Sequence, residues 1–145
     1  MAIAGQRIAV NICYEDLFGH VIRRAWHDPE QAPTIMLNMS NLAWFRDSIA
    51  LPQHLQISRM RALETQHPML RATNTGATAI IDARGSVVAQ LPLQTAGALD
   101  GTVQGMRGTT PFIRLGNALA LLLALAFAIA AGLFSRRPGR YDASK

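Results

Sequence analysis

The chemistry-bearing stretch is NICYEDLFG, Asn11 to Gly19, where the single cysteine of the chain, Cys13, closes an apolar run and Tyr14, Glu15 and Asp16 follow directly. A lone cysteine excludes an intramolecular disulfide and leaves zinc or iron–sulfur ligation without its cluster of soft ligands. Cys13 is therefore a packing residue or a reactive thiol. A thiol of ordinary pKa, about 8.5, is only a few per cent ionised at pH 7, so a nucleophilic cysteine needs a base or a favourable field. An acidic neighbour disfavours the thiolate unless it holds something else in place. Glu15 could fix a cationic group or bind the amine of an acceptor, with the Tyr14 hydroxyl supplying a hydrogen bond. The plainer role for Glu15, and above all for Asp16, is favourable charge in a first helical turn. Lipid attachment to Cys13 itself is discarded, because Asn11 and Ile12 stand where such a signal needs small residues.

The elements that must position these residues read as α/β. Arg7 to Cys13 has the apolar, β-branched character of a buried strand. In EDLFGHVIRRAW, Leu17, Val21, Ile22 and Ala25 fall on one helical face, and Asp28 and Pro29 end it. Cys13 thus sits where a strand turns into a helix, which lifts its sulfur from the sheet toward unpaired helix N–H groups. Thr34 to Ser40 reads as a second strand, followed by the polar and aromatic loop NLAWFRDS. Leu51 to Gln66 reads as a helix with Pro52 in its first turn and Pro68 beyond its end. MLRATN, GATAIID and VVAQL read as strands, with Asn74 and Gly76 shaping one turn and Asp82 to Gly85 the other; ALDGTV reads as a further short strand. Strand, helix, strand, helix and a run of strands predict a mixed sheet with a marginal core.

Leu115 to Phe134 carries no charge and only Asn117 as a polar side chain. At about 1.5 Å per residue this run spans roughly 30 Å, the thickness of a bilayer's hydrocarbon core. Gly105, Gly108 and Pro111 make a flexible approach to it. Net charge is +5, but Arg136, Arg137, Arg140 and Lys145 directly follow the apolar run. Such an excess marks the cytoplasmic end of a spanning helix and sets residues 1 to about 110 on the opposite face, which is the periplasm if the source is a Gram-negative bacterium. No basic run interleaved with aromatics appears elsewhere, which argues against nucleic acid as a partner. His20, His27, His54 and His67 lack metal-ligand spacing, and no cofactor is called for.

ICYEDLFG, NMSNLAWF, RMRALETQHPMLRATNTGATAIIDARG and the terminal apolar helix together resemble the C-terminal part of the apolipoprotein N-acyltransferase family, membrane-bound members of the nitrilase superfamily. The resemblance runs from Arg7 to Arg137. It implies a partial nitrilase-like α-β-β-α sandwich followed by one C-terminal transmembrane helix. It also implies a Glu, Lys, Cys triad in which Cys13 is the nucleophile, with Tyr14 and Glu15 beside it as residues the family needs. Asn41, Trp44 and Phe45 match the substrate-binding aromatic loop near the entrance for lipid. The implied partners are the membrane, a phospholipid acyl donor and a diacylglyceryl-lipoprotein acceptor, at the bacterial inner membrane.

The chain departs from that pattern at defined points. The family's Glu and Lys lie upstream of the cysteine, whereas here Cys13 stands close to Met1 and the sole lysine is Lys145. The expectation is a C-terminal fragment, inactive alone and lacking an N-terminal portion of the same enzyme. Leu42 stands where the family has Asp, and Arg46 where it has Gly. Glu64 reads as an ion-pair partner of Arg59 or Arg61, with orientation of the site as its alternative. Arg71 reads as a solvated strand end, with a lipid-headgroup contact as the alternative. The expected organisation is a catalytic portion at 1–104, a linker at 105–114, a membrane helix at 115–134 and a basic tail at 135–145. A noncatalytic, membrane-anchored interaction domain is the competing reading; a soluble-amide amidase fits the terminal helix poorly.

Overall fold

The computed structural model describes residues 1–135, so the four basic tail residues, and the orientation read from them, lie outside the described residues. Six strands form one sheet in chain order: β1 (Ala2–Ile3), β2 (Gln6–Ile12), β3 (Ile35–Ser40), β4 (Met69–Thr73), β5 (Ala79–Ile81) and β6 (Val87–Gln90). β2, β3 and β4 run parallel, while β1, β5 and β6 join antiparallel. Parallel neighbours require crossovers, and both cross on the same face of the sheet. The second crossover is α2 (Ala50–Thr65).

Register explains the interior. Met36 on β3 pairs with Met69 on β4, and Met69 with Ile81 on β5, which makes one apolar row across the covered face. Ile22, Trp26, Ala62 and Ile113 close over that row. Two residues further along the strands, Asn11, Asn38 and Arg71 form a second row on the same face, and all three are buried. The buried stripe of α2 matches the two rows: Ala62 meets the apolar core, and His54 and Ser58 meet Arg71.

Three segments differ from expectation. The helix expected from Glu15 to Trp26 is broken into a 3₁₀ turn (Cys13–Leu17), α1 (Gly19–Ile22) and a second 3₁₀ turn (Arg23–Trp26). Gly19 allows the close approach at that break, because a Cβ there would run into the Arg61 guanidinium and the Phe112 ring. Ala98 to Val103 forms no strand; its Gly101 lies against Ile80 on the far face instead of pairing at the sheet edge. The approach to the apolar run contains α3 (Pro111–Leu115), anchored rather than loose. Thr110 Oγ1 accepts the Ile113 N–H at 3.2 Å and donates to the Glu64 carbonyl at 2.6 Å, while Ile113 enters the core.

Gly116, with φ +58, separates α3 from α4 (Ala118–Ser135). α4 is long and apolar enough to cross a membrane, and none of it is buried against the rest of the chain. A core helix of a water-soluble domain would hide such a surface.

Candidate active site

Cys13 is half-buried and has φ +53, a left-handed conformation that an L-residue adopts only when its surroundings impose it. Two contacts impose it here. The Glu15 carboxylate accepts the Ile12 N–H at 2.6 Å, and the Asn38 side-chain amide donates to the Cys13 carbonyl at 2.9 Å. Asn38 is fixed in turn, since its Nδ2 also donates to Asn11 Oδ1 at 2.6 Å and its Oδ1 accepts from Ser40 Oγ at 2.6 Å. The turn therefore presents Cys13 at the carboxyl end of a parallel strand on a backbone held from both sides. Because the following element is one 3₁₀ turn, the field available at Cys13 is that of a single turn, not the dipole of a long helix.

Tyr14 stacks on His54 at 4.6 Å between ring centroids and meets Phe45 edge-on at 5.6 Å. Burial raises the Tyr14 pKa, nearby Cys13 and Asp16 charges raise it further, and Arg71 opposes them. The phenol therefore stays protonated at neutral pH and can donate a hydrogen bond.

Asp16 is fully buried rather than surface charge in a helical turn. It accepts from His54 Nε2 at 2.8 Å and Ser58 Oγ at 2.5 Å, and its carboxylate lies 3.7 Å from Arg71 Nη1. Arg71 is likewise buried, not a solvated strand end or a headgroup contact. Its guanidinium donates to the carbonyls of His54 at 2.9 Å and Ala77 at 3.2 Å, and to Ser58 Oγ. The His54 ring bridges the two charges, with Nε2 against Asp16 at 2.8 Å and Nδ1 against Arg71 Nη2 at 3.4 Å. Burial lowers the Arg71 pKa to about 10, against the pull of Asp16 and Tyr14. Ser58, His54 and Asp16 do not form a nucleophilic relay, because hydroxyl and imidazole both bond to the carboxylate and all are sealed from solvent. They tie the turn below Cys13 to α2 and β4.

Sequence reasoning missed this cluster. The available signal was the spacing of Leu51, His54, Ser58 and Ala62 on one face of α2, which a purely apolar search passes over.

The aromatic loop lies beyond the ends of β3 and β4. Asn41 Oδ1 accepts from Ala43 N at 3.1 Å and from Asn74 Nδ2 at 2.7 Å, and Asn74 Oδ1 accepts the Leu42 N–H at 3.0 Å. Leu42 is fully buried, so the loop is pinned at its start. Trp44 is 82% exposed on a 3₁₀ turn (Ala43–Phe45), whereas Phe45 leans on Tyr14. An open depression lined by Met39, Asn41, Ala72 and Thr73 lies beside this loop. Asn41 thus shapes the loop, Phe45 links it to the Cys13 turn, and Trp44 projects outward. Glu64 pairs with Arg61 at 3.1 Å, the ion-pair role expected of it. Among the described residues no group of His, Cys, Asp and Glu is arranged to hold a metal ion.

Comparison with known proteins bears on this arrangement. The carbon-nitrogen hydrolase family matches residues 1–112. An apolipoprotein N-acyltransferase of Ralstonia nicotianae is 58% identical over 139 residues, covering 96% of this chain and 27% of that protein. One of Bordetella bronchiseptica is 57% identical over 139 residues, covering 94% of this chain and 25% of that protein. Among solved structures, a Nesterenkonia AN1 amidase of the nitrilase superfamily matches with a TM-score of 0.51 at 16% identity, over 65% of this chain and 37% of that one. At that identity the likeness concerns the fold alone. The chain spans about a quarter of the length of the curated relatives it matches.

Proposed function

Because the chain belongs to the carbon-nitrogen hydrolase family, we propose that it carries the nucleophile portion of an apolipoprotein N-acyltransferase. The observation that carries this reading is the constrained, left-handed Cys13 at the carboxyl end of β2, next to Tyr14, which touches Phe45 of the aromatic loop, in a chain that also carries a helix long and apolar enough to cross a bilayer. The Cys13 sulfur attacks the ester carbonyl of a phospholipid; the acyl–oxygen bond breaks, lysophospholipid leaves as the alcohol, and the thiol proton passes to that oxygen. The α-amino group of a diacylglyceryl-modified cysteine then attacks the thioester, the amide forms, and the amine's proton returns to sulfur. Splitting one acyl transfer into two replaces a large barrier by two smaller ones.

The residues divide the work. Glu15 and Asn38 hold the turn, so Glu15 acts here by locking the backbone at Ile12. The Tyr14 phenol donates toward the developing oxyanion, and Phe45 with Trp44 guides the acyl chain. α4 keeps the site at the membrane surface, where both substrates are concentrated. A positioned general base contributes roughly 10²–10⁴ in rate and an oxyanion donor roughly 10²–10³. Without the family's Glu and Lys, the chain alone turns over at a small fraction of the rate of a full-length relative.

The test is incubation with phospholipid carrying a labelled acyl chain, followed by detection of a hydroxylamine-sensitive adduct on Cys13. Supplying the upstream portion of a relative should raise adduct formation by orders of magnitude, and Cys13→Ala should abolish it. A complemented chain that forms no adduct would favour the noncatalytic, membrane-anchored domain.

A further inference from the structure

A cavity of about 310 Å³ opens where the sheet domain meets the apolar helix, and neither Cys13 nor Tyr14 lines it. His20, Arg23 and Arg24 form one wall, and Phe112, Leu115 and Asn117 the other. Among the described residues no carboxylate lines it. Arg24 is exposed and has no ion-pair partner among the described residues. Among the described residues Arg23 reaches only the Arg114 carbonyl, at 3.5 Å, a long contact that occupies one of its donors. Gly116 makes room for it, because a Cβ at that position would come within 2.6 Å of the Arg23 guanidinium. The left-handed Gly116 thus turns the chain into α4 and sets two arginines around one polar opening.

Paired guanidinium groups with a nearby amide suit a phosphate, which they can grip by forked hydrogen bonds. The depth of the site decides where that phosphate comes from. Asn117 lines the cavity and α4 begins at Ala118, so the cavity stands at the level where headgroups lie if α4 spans a bilayer. Phe112 and Leu115 supply the apolar surface that the glycerol and first acyl methylenes would meet. We propose that this pocket is a phosphate site for the headgroup of an anionic phospholipid, distinct from the acyl-donor site at Cys13. The inference rests on the membrane reading of α4 but not on the chemistry of Cys13.

The experiment uses the full chain in nanodiscs of phosphatidylcholine with increasing phosphatidylglycerol, and native mass spectrometry of the lipids retained on gentle disruption. The unchanged chain should retain phosphatidylglycerol in preference to phosphatidylcholine. Arg23→Gln with Arg24→Gln should weaken that retention roughly tenfold or more, given the size of each cation's contribution at a membrane surface. Arg84→Gln with Arg107→Gln removes the same charge elsewhere and should leave retention unchanged. Arg23→Lys with Arg24→Lys keeps charge but loses the forks, and should fall in between.

Equal loss in the Arg84 and Arg107 pair, or no preference for the anionic lipid, overturns the site. Displacement of the lipid by millimolar inorganic phosphate, with equal binding in lipid-free detergent, overturns the headgroup assignment and leaves a soluble phosphate as the ligand. Resistance of the chain to extraction from pure phosphatidylcholine vesicles by alkaline carbonate tests α4 separately. A chain that is extracted fails the membrane reading, whereas one that stays but ignores phosphatidylglycerol fails only the pocket.

Discussion

At Cys13 the backbone conformation costs an L-residue about 1–2 kcal/mol, a strain borne because Glu15 and Asn38 hold the turn on either side. Glycine pays no such cost, so Cys13→Gly should leave the fold as stable or up to about 1 kcal/mol more stable while removing the thiol. Cys13→Val places a β-branched side chain in the same conformation and should destabilise by more than about 1 kcal/mol. Denaturant midpoints of the two variants decide this, and equal midpoints would mean the turn is not strained. His67 offers a second test at this scale. It is buried beside Trp26, and burial lowers its pKa against hydrogen bonds to the Thr65 and Met106 backbone. Below about pH 6.5 the unfolded chain takes up a proton that the folded chain refuses, so this residue's contribution to stability falls as the pH drops toward its lowered folded value. The slope from one group cannot exceed about 1.4 kcal/mol per pH unit. Stability profiles of the chain and of His67→Phe should diverge in that direction on acidification; parallel profiles would exclude His67 as the cause.

Elements are joined here by a polar knot as much as by apolar packing. Asp16 comes from the turn after β2, His54 and Ser58 from α2, and Arg71 from β4. Asp16→Asn keeps the shape but leaves the buried guanidinium without its counter-charge, and should cost about 3–5 kcal/mol. Asp16→Asn combined with Arg71→Met should recover part of that loss; a double variant no more stable than the single one would show that Arg71 is not what suffers. The aromatic loop gives a sharper contrast within four residues. Leu42 is completely buried and Trp44 is mostly exposed. Leu42→Ala should cost about 2–5 kcal/mol, while Trp44→Ala should stay within about 0.5 kcal/mol and act only on lipid-dependent adduct formation. The strands, α2 and the apolar run were legible because each has one period and a clear stop, such as Pro68 or Asp28 with Pro29. The knot was not, because Asp16 and Arg71 carry no local sign that they share a buried partner. The broken helix after Cys13 was hidden for a related reason: the apolar spacing of Leu17, Val21 and Ile22 is helical, but Gly19 is set by contact with Arg61 and Phe112 from distant segments.

Across the whole molecule, the sheet has one covered face and one that is largely open. On the open face Val10, Leu37 and Leu70 form a row, followed by Ile12, Met39 and Ala72. Val10, Ile12 and Met39 are 41%, 59% and 43% exposed, whereas Met36 and Met69 on the opposite face are fully buried. An apolar sheet face of this kind is stable when a second layer covers it, which is what the family's two-sheet sandwich would provide. The mixed sheet could be read from the order of elements, but which face lacked its layer could not, since both rows are apolar in sequence. Methionine oxidation reports the difference directly, because attack by peroxide follows exposure. In the chain alone, Met39 should oxidise at a rate near that of the exposed Met60, and Met36 and Met69 at least roughly tenfold more slowly. Adding the upstream portion of a full-length relative should protect Met39 while Met60 stays reactive. If adduct formation on Cys13 is restored and Met39 remains as reactive as before, the missing layer does not rest on this face, and the sandwich must close in another way.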